Sequence, residues 1–313
     1  MKEFVAVHVG AGQHSYANES AMNELCNRAC HAAINALKIG VSALDTVEGA
    51  VKMLEDCPLT NAGIGSSLNW DGMVECDAAI MEGQSRLFGS VGAVPSIVLF
   101  LCGRGAWKFA KDRNLTTYEH SEPLSGPMVS PASIKRHEKH KASLGASTDP
   151  NEAETQDTVG AIAIDSQGAM AVAVSTGGIS LKTAGRIGDS AVPGCGFWIT
   201  NQCAIGLAQM SCCTTDFARA LCSVVKAGSY SDTDRSAILS KYLQDFTQIE
   251  FNRPPSAGFI SLILEEGGFG EFWYGFTTPT MGLGFMSSSD DRPTSFIDRL
   301  PSGSRFRLSG MPF

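Results

Sequence analysis

The stretch from Thr158 to Ser175 reads TVGAIAIDSQGAMAVAVS. It holds two apolar runs, Thr158–Asp165 and Ala169–Ser175, with Ser166-Gln167-Gly168 between them. Ser, Gln and Gly at that spacing are hairpin punctuation, so the two runs are predicted to pair as antiparallel strands. Neither run alternates apolar with polar residues, so neither offers a face to water. A hairpin buried on both faces belongs in the middle of a sheet, flanked by further strands and covered above and below. Phe4–Val9 and Met73–Met81 are the apolar segments suited to flank it. Both lie in the first half of the chain and the hairpin in the second, which predicts one fold for residues 1–313 rather than two domains.

The remaining punctuation fits that frame. Ser20 precedes Met22, Leu25, Cys26, Ala29, Ala33 and Leu37, a three-and-four spacing that predicts an amphipathic helix stopped at Gly40. Ala43, Val47, Ala50, Val51 and Leu54 repeat the pattern in a second helix closed by Cys57-Pro58. Thr60–Ser67 is a Gly- and Asn-rich loop, and a short helix is expected from Pro95. A further helix is expected from about Thr214–Asp216 through Phe217, Leu221 and Val225. A second hairpin is expected between Gly258 and Phe276, turning at Glu266-Gly267-Gly268. Helices in an early block and strands in hairpins point to an α+β fold, with antiparallel sheets covered by helices and no doubly wound parallel sheet.

Between the two halves the character changes. Glu119–Gln156 is rich in Pro, Ser, Lys, His and Glu and shows almost no apolar periodicity. Such a segment buries too little surface to offset its ordering entropy and is expected to be disordered over about 119–157. It contains Ile134-Lys135-Arg136-His137-Glu138-Lys139-His140-Lys141, four basic residues and two histidines together, which read as a solvated charge run or as a nuclear-import signal. The whole chain carries a net charge of −8 and does not look like a direct nucleic-acid binder. Its longest apolar run, Val91–Cys102, is interrupted by Pro95 and is too short to span a bilayer, so no membrane partner is expected. The opening residues do not resemble a secretory signal, and the ten cysteines are expected to be reduced thiols of an intracellular protein. They lack Cys-x-x-Cys pairs, so no metal or organic cofactor is expected.

Asp157-Thr158 sits at the abrupt boundary between the polar segment and the first buried strand. Thr is an ordinary strand residue and Asp an ordinary turn residue. The same arrangement, however, has the form of a self-processing site. Cleavage of the Asp157–Thr158 bond would give Thr158 a free α-amine, with a reference pKa of roughly 7.7–8.0, on the same residue as its hydroxyl. Nucleophile and base would then come from one residue. Thr176 lies 18 residues further on, where a tight hairpin returns it beside Thr158. In Gly185-Arg186-Ile187-Gly188-Asp189-Ser190, Arg186 offers a bidentate fork for a carboxylate, and Asp189 a counter-charge or an acceptor for an amine.

Six ordered segments resemble the plant-type asparaginase group of N-terminal-nucleophile hydrolases: His8–Gly12, Thr60–Ser66, Glu75–Met81, Asp157–Gly160, Ser175–Gly178 and Gly185–Ser190. Phe285–Ser288 and Arg299–Pro301 are similar to the threonine aspartase (taspase) branch, whose members cleave proteins after aspartate. The resemblance implies a four-layer αββα sandwich, and self-cleavage into an α-chain of residues 1–157 and a β-chain of residues 158–313. It implies an αβ heterodimer that associates further as (αβ)2. Thr158 would be the nucleophile and Asp157 the last residue of the α-chain. Gly12 and Asn61 would line the site, Thr176 would support the nucleophile, and Arg186 and Asp189 would bind and orient the substrate's aspartate. Expected partners are protein substrates with a cleavable Asp, nuclear regulatory proteins among them, and the expected localisation is nucleus and cytoplasm.

One stretch departs from the pattern. The group places a hydroxyl residue ahead of a Gly-rich turn that opens a helix. Here Ser211-Cys212-Cys213-Thr214-Thr215-Asp216 keeps the hydroxyl, as Ser211, but loses the glycines. Rival readings are an L-asparaginase or β-aspartyl peptidase acting on small molecules, and an inactive scaffold of the same fold.

Overall fold

The computed structural model describes residues 1–94, 101–117, 122–143, 157–210, 216–228, 234–249, 255–265 and 267–313. The strands are β1 (Phe4–Gly12), β2 (Cys76–Glu82), β3 (Phe88–Val94), β4 (Leu101–Cys102), β5 (Val159–Ile164), β6 (Met170–Thr176), β7 (Phe197–Ile199), β8 (Cys203–Met210), β9 (Ala257–Leu264), β10 (Gly270–Phe276), β11 (Thr280–Ser287), β12 (Thr294–Arg299) and β13 (Arg307–Pro312). The helices are α1 (Glu19–Lys38), α2 (Ala43–Glu55), α3 (Gly103–Asp112), α4 (Pro131–Ser143), α5 (Phe217–Gly228) and α6 (Arg235–Phe246).

The expected hairpin forms and takes the central place. The larger sheet runs β12-β11-β1-β5-β6-β2-β3-β4, and the smaller runs β13-β10-β9-β8-β7. β5 pairs antiparallel with β6 on one side and with β1 on the other, and β2 closes onto β6. Every pair in the large sheet is antiparallel except β3–β4.

Alternation along β5 explains its unbroken apolar run. Val159, Ala161 and Ala163 face helices α1 and α2, and Ile162 and Ile164 face the second sheet. The core between the sheets also takes Phe4, Val172, Val174, Ile260, Phe272, Phe276 and Leu283, so both halves of the chain build it. The small sheet's far face is covered by Phe217, Leu221 and Val225 of α5 and Leu239, Leu243 and Phe246 of α6. The layers are therefore helix, sheet, sheet, helix.

Local chemistry sets the helices. α1 buries Met22, Leu25, Cys26, Ala29, Cys30, Ala33, Ile34 and Leu37. α2 is capped by Ser42, whose hydroxyl accepts the Asp45 N–H at 3.1 Å, a contact worth about 1 kcal/mol. Ala43 and Ala50 of α2 and Ala161, Ala163, Ala171 and Ala173 of the hairpin belong to one buried cluster, small residues that let the helix lie close on the sheet.

The segment expected to be disordered differs in one part. Residues 131–143 form α4, and its inward face is polar: Ser133 and His137 are buried, and Arg136 donates to the Gly65 carbonyl at 2.6 Å. His140 Nδ1 pairs with the Ser180 hydroxyl at 2.7 Å, and the Lys141 ammonium lies 5.3 Å from the Trp70 ring centre. A search for apolar periodicity passes over a helix that docks through hydrogen bonds. The basic run therefore contacts the folded body, contrary to the sequence expectation. The expected helix start at Pro95 lies outside the described residues, and α3 begins at Gly103.

Packing at the hairpin is tight enough to test. A Cβ on Gly160 would stand 2.4 Å from His8 Nε2 and 3.0 Å from the Ala173 carbonyl oxygen. Gly160→Ala is expected to destabilise the protein by about 1–3 kcal/mol, as overpacking of a close-packed interior does. A thermal melt that leaves the midpoint unchanged would refute this packing.

Candidate functional site

Thr158 immediately precedes β5. Val159 is paired with Ser175, and carrying the register one step further sets Thr158 opposite Thr176. Thr176 is in turn paired with Asp77 of β2. Three polar residues thus lie side by side on adjacent strands at one end of the sheet. All are buried: Thr158 is 4% exposed, Thr176 3% and Asp77 0%. The Thr158 N–H donates to the Ala208 carbonyl of β8 at 3.1 Å, so the residue is held by the second sheet as well.

His8 fixes Thr158 from the other side. His8 Nδ1 lies 3.0 Å from the Thr158 carbonyl oxygen. A carbonyl only accepts, so Nδ1 carries the proton. Burial drives the His8 pKa down to about 3, and the bond to Thr158 works against that shift only in part. His8 is a neutral, fully buried donor.

Asp77 organises the opposite flank. Its Oδ1 accepts the Ala93 N–H at 2.8 Å, and its Oδ2 accepts the Gly188 N–H at 2.7 Å. That second bond anchors the loop carrying Arg186 and Asp189 beside Thr176. Glu75 helps: its carboxylate accepts the Gly185 N–H at 3.1 Å, and its carbonyl accepts from Lys182 Nζ at 2.5 Å. Lys182 is 1% exposed, a buried cation beneath the same loop. Arg186 is half-buried. Burial raises the Asp189 pKa to about 6, and Arg186 partly offsets the rise.

Asn61 joins the Gly-rich loop to the end of β6. Its Nδ2 donates to the Gly178 carbonyl at 3.0 Å, its Oδ1 accepts the Ser67 N–H at 2.7 Å, and its carbonyl accepts the Gly177 N–H at 2.7 Å. The Thr176 hydroxyl accepts the Gly178 N–H at 3.0 Å. Gly12 ends β1, where its carbonyl accepts the Thr280 hydroxyl at 3.1 Å. Asp157 approaches Gly10 and His14, with His14 Nε2 3.8 Å from Asp157 Oδ2.

The sequence-predicted residues Asp157, Thr158, Thr176, Asn61, Gly12, Arg186 and Asp189 therefore lie around one end of the central hairpin. Ser211 lies outside the described residues, as do Cys212–Thr215. His8 and Asp77 stand within the motifs read from the sequence but without a role assigned there, and His14 and Thr280 stand outside those motifs. Asp77 carried a readable signal: a carboxylate inside the apolar strand Cys76–Met81 requires partners. The pairing of His14 with Thr280 left no local signal, because it joins positions 266 residues apart.

An αββα sandwich with a threonine opening a central buried strand is the architecture of an N-terminal-nucleophile hydrolase. Residues 1–208 match the family model described as Asparaginase, and the chain belongs to that family. It is 38% identical over 214 residues to the isoaspartyl peptidase/L-asparaginase of Rattus norvegicus, covering 63% of this chain and 62% of that protein. It is 34% identical over 228 residues to the isoaspartyl peptidase of Escherichia coli K12, covering 64% of this chain and 68% of that one. A plant-type L-asparaginase of Pyrobaculum calidifontis is 30% identical over 316 residues, covering 92% of this chain and 98% of its own length. The chain thus spans just under two thirds of the rat protein.

The buried His8 has a thermodynamic consequence. Unfolded, it takes up a proton near its model value of 6.5, whereas folded it resists protonation down to about 3. The unfolded state therefore binds more protons in that window, and stability falls as the pH drops from 6.5 toward 3. Asp189 works in the opposite sense between its model value of 3.8 and about 6, because the folded state holds its proton longer. His8→Gln is expected to flatten the acid loss of stability, and Asp189→Asn to steepen it. Denaturant titrations across the window check both, and parallel curves for parent and His8→Gln would contradict the assignment.

Proposed function

We propose that this protein is a self-activating threonine amidohydrolase whose substrate presents an aspartyl carboxyl group. The observation that carries the reading is the alignment of Thr158, Thr176 and Asp77 on adjacent strands, with Asp77 holding the Arg186–Asp189 loop. In the precursor, the Thr158 hydroxyl attacks the Asp157 carbonyl carbon and the peptide C–N bond breaks. The resulting ester is hydrolysed by water, leaving the Asp157 carboxylate and a free Thr158 amine. In the mature enzyme that amine takes the hydroxyl proton as Thr158 attacks the substrate carbonyl, and the proton passes to the leaving amine. Water then releases the acyl group. Arg186 is suited to fork the substrate's carboxylate. Asn61 keeps a second Nδ2 proton for an oxyanion, a class of interaction whose loss costs about 10²–10³ in rate.

Cleavage would not release the two pieces. Strands β1 and β2 belong to residues 1–157, and β5 and β6 to residues 158–313, in the order β1-β5-β6-β2. The chains interleave within one sheet and would persist as an αβ heterodimer.

The relatives' names favour small β-aspartyl compounds and asparagine as substrates. Endoproteolysis after aspartate is a second reading. It is favoured by the basic helix α4, which is bound to the Gly65 and Ser180 loops and carries more cationic surface than a free amino acid requires.

Thr158→Val is expected to remain one chain and to be inactive, and Thr158→Ser to split more slowly than the parent. Intact mass spectrometry reads both, and efficient splitting of Thr158→Val would remove Thr158 from the mechanism. A panel of asparagine, β-aspartyl dipeptides and Asp-containing peptides then assigns the substrate class. Arg186→Ala is expected to lose activity by about 10²-fold or more on any of them, with Arg186→Lys a poor substitute for the fork. Near-parental rates for Arg186→Ala would place the carboxylate elsewhere.

A further inference from the structure

Asp157 precedes the proposed nucleophile, and its side chain enters surroundings distinct from those of the Arg186 loop. Gly10 lies against it. A Cβ there would fall 2.2 Å from Asp157 Cβ and 2.9 Å from Asp157 Cα, and Gly10 has a φ of +110°. Only glycine lets Asp157 approach β1 so closely.

Beyond Gly10 stands His14, with a side chain 4% exposed. Its Nε2 lies 3.2 Å from the Val9 carbonyl oxygen and 3.8 Å from Asp157 Oδ2. Both are acceptors, so Nε2 carries a proton. Its Nδ1 lies 2.8 Å from the Thr280 hydroxyl. That hydroxyl also accepts the His14 backbone N–H at 2.8 Å and lies 3.1 Å from the Gly12 carbonyl oxygen. Thr280 and the Val9 carbonyl hold the ring through both of its nitrogens, and Thr280 is itself fixed by Gly12 and by the His14 backbone, so the Nε2 edge is locked facing the Asp157 carboxylate.

Topology separates this cradle from the loop that carries Arg186. Thr280 begins β11, and Gly10 lies on β1, on one side of β5. Asp77, which holds the Arg186 loop, lies on β2, beyond β6. Thr158 sits between the two groups.

We propose that Gly10, His14 and Thr280 form a carboxylate site dedicated to Asp157, which positions the Asp157–Thr158 peptide for self-cleavage and is separate from the site that takes the substrate's carboxylate. This rests on the self-activating reading above and adds a positioning residue, His14, to it. By anchoring the side chain, His14 fixes the torsion of Asp157 and so the direction its carbonyl presents to the Thr158 hydroxyl.

The experiment follows self-cleavage of purified precursor by intact mass. His14→Phe keeps the volume of the ring and removes both nitrogens. It is expected to slow self-cleavage by about tenfold or more, the scale of loss that misplacement of reacting groups produces. Asp157→Ala is also expected to be slow. In that background His14→Phe should add less than about twofold, because two residues acting through one contact are not additive. His14→Gln, which can place an N–H near the Nε2 position, should recover part of the rate. Melting of each variant confirms that it is folded. The fraction of His14→Phe that does split should lose much less activity per β-chain N-terminus, on an aspartyl substrate, than the precursor loses in self-cleavage. Parental self-cleavage in His14→Phe overturns the proposal. So does a fully additive double variant, which would reduce His14 to a structural role, or an equal loss of both reactions, which would merge the two carboxylate sites. A parental chain that never splits removes the self-activating reading itself, and the proposal with it.

Discussion

The central antiparallel pairing of β5 with β6 is the constraint from which the site follows. Because both strands are apolar on both faces, they are fixed between β1 and β2 and between two layers of cover. A register slip of one residue would exchange the residues facing α2 with those facing the second sheet, so the register is strongly specified. That same register sets Thr158 level with Thr176 and Thr176 level with Asp77. The site geometry is therefore inherited from hydrophobic packing, at the one point where the sheet end is polar. The bond from the Thr158 N–H to Ala208 ties this end to the second sheet, and His8 holds the Thr158 carbonyl from β1.

Two buried charges keep the loops in place. Asp77 accepts one N–H from β3 and one from the Arg186 loop, and Lys182 donates to the carbonyl of Glu75, the residue before β2. A buried ionisable group is costly unless its partners are supplied, so each commits its neighbours to a single arrangement. Arg186 is not positioned by its own contacts alone. It is delivered by a loop whose ends are pinned to Glu75 and Asp77.

The parts legible in the sequence were those with a period or a local rule. The hairpin, its two flanking strands, α1 and α2 all announce themselves through apolar spacing, and their layering followed from continuous burial. Asp157, Thr158 and Thr176 were legible because a turn fixes the distance between hairpin ends. Helix α4 was not, since its buried face is Ser133, Arg136 and His137, residues that read as solvated. His14 and Thr280 were not, since only the return of β11 beside β1 brings them together. Polar contacts between distant segments carry no periodic trace.

The ionic state of Asp189 bears on what the site accepts. Burial holds its carboxyl proton up to about pH 6, and its Oδ2 has no hydrogen-bond partner among the described residues. A free amino acid or a β-aspartyl dipeptide brings an α-ammonium, which would ionise Asp189 fully and repay its desolvation as a charge-assisted pair. An internal aspartate in a protein brings only a peptide N–H at that position, a weaker donor that leaves more of the desolvation uncompensated. Under the proposed reading this pairing at Asp189 would favour the small substrate, while the exposed lysines of α4 would favour an extended one. Which wins depends on whether the contacts made along a peptide exceed the single charge pair lost at its aspartate. Under the proposed reading Arg186 would serve both, because a carboxylate is the one charged group the two substrate classes share.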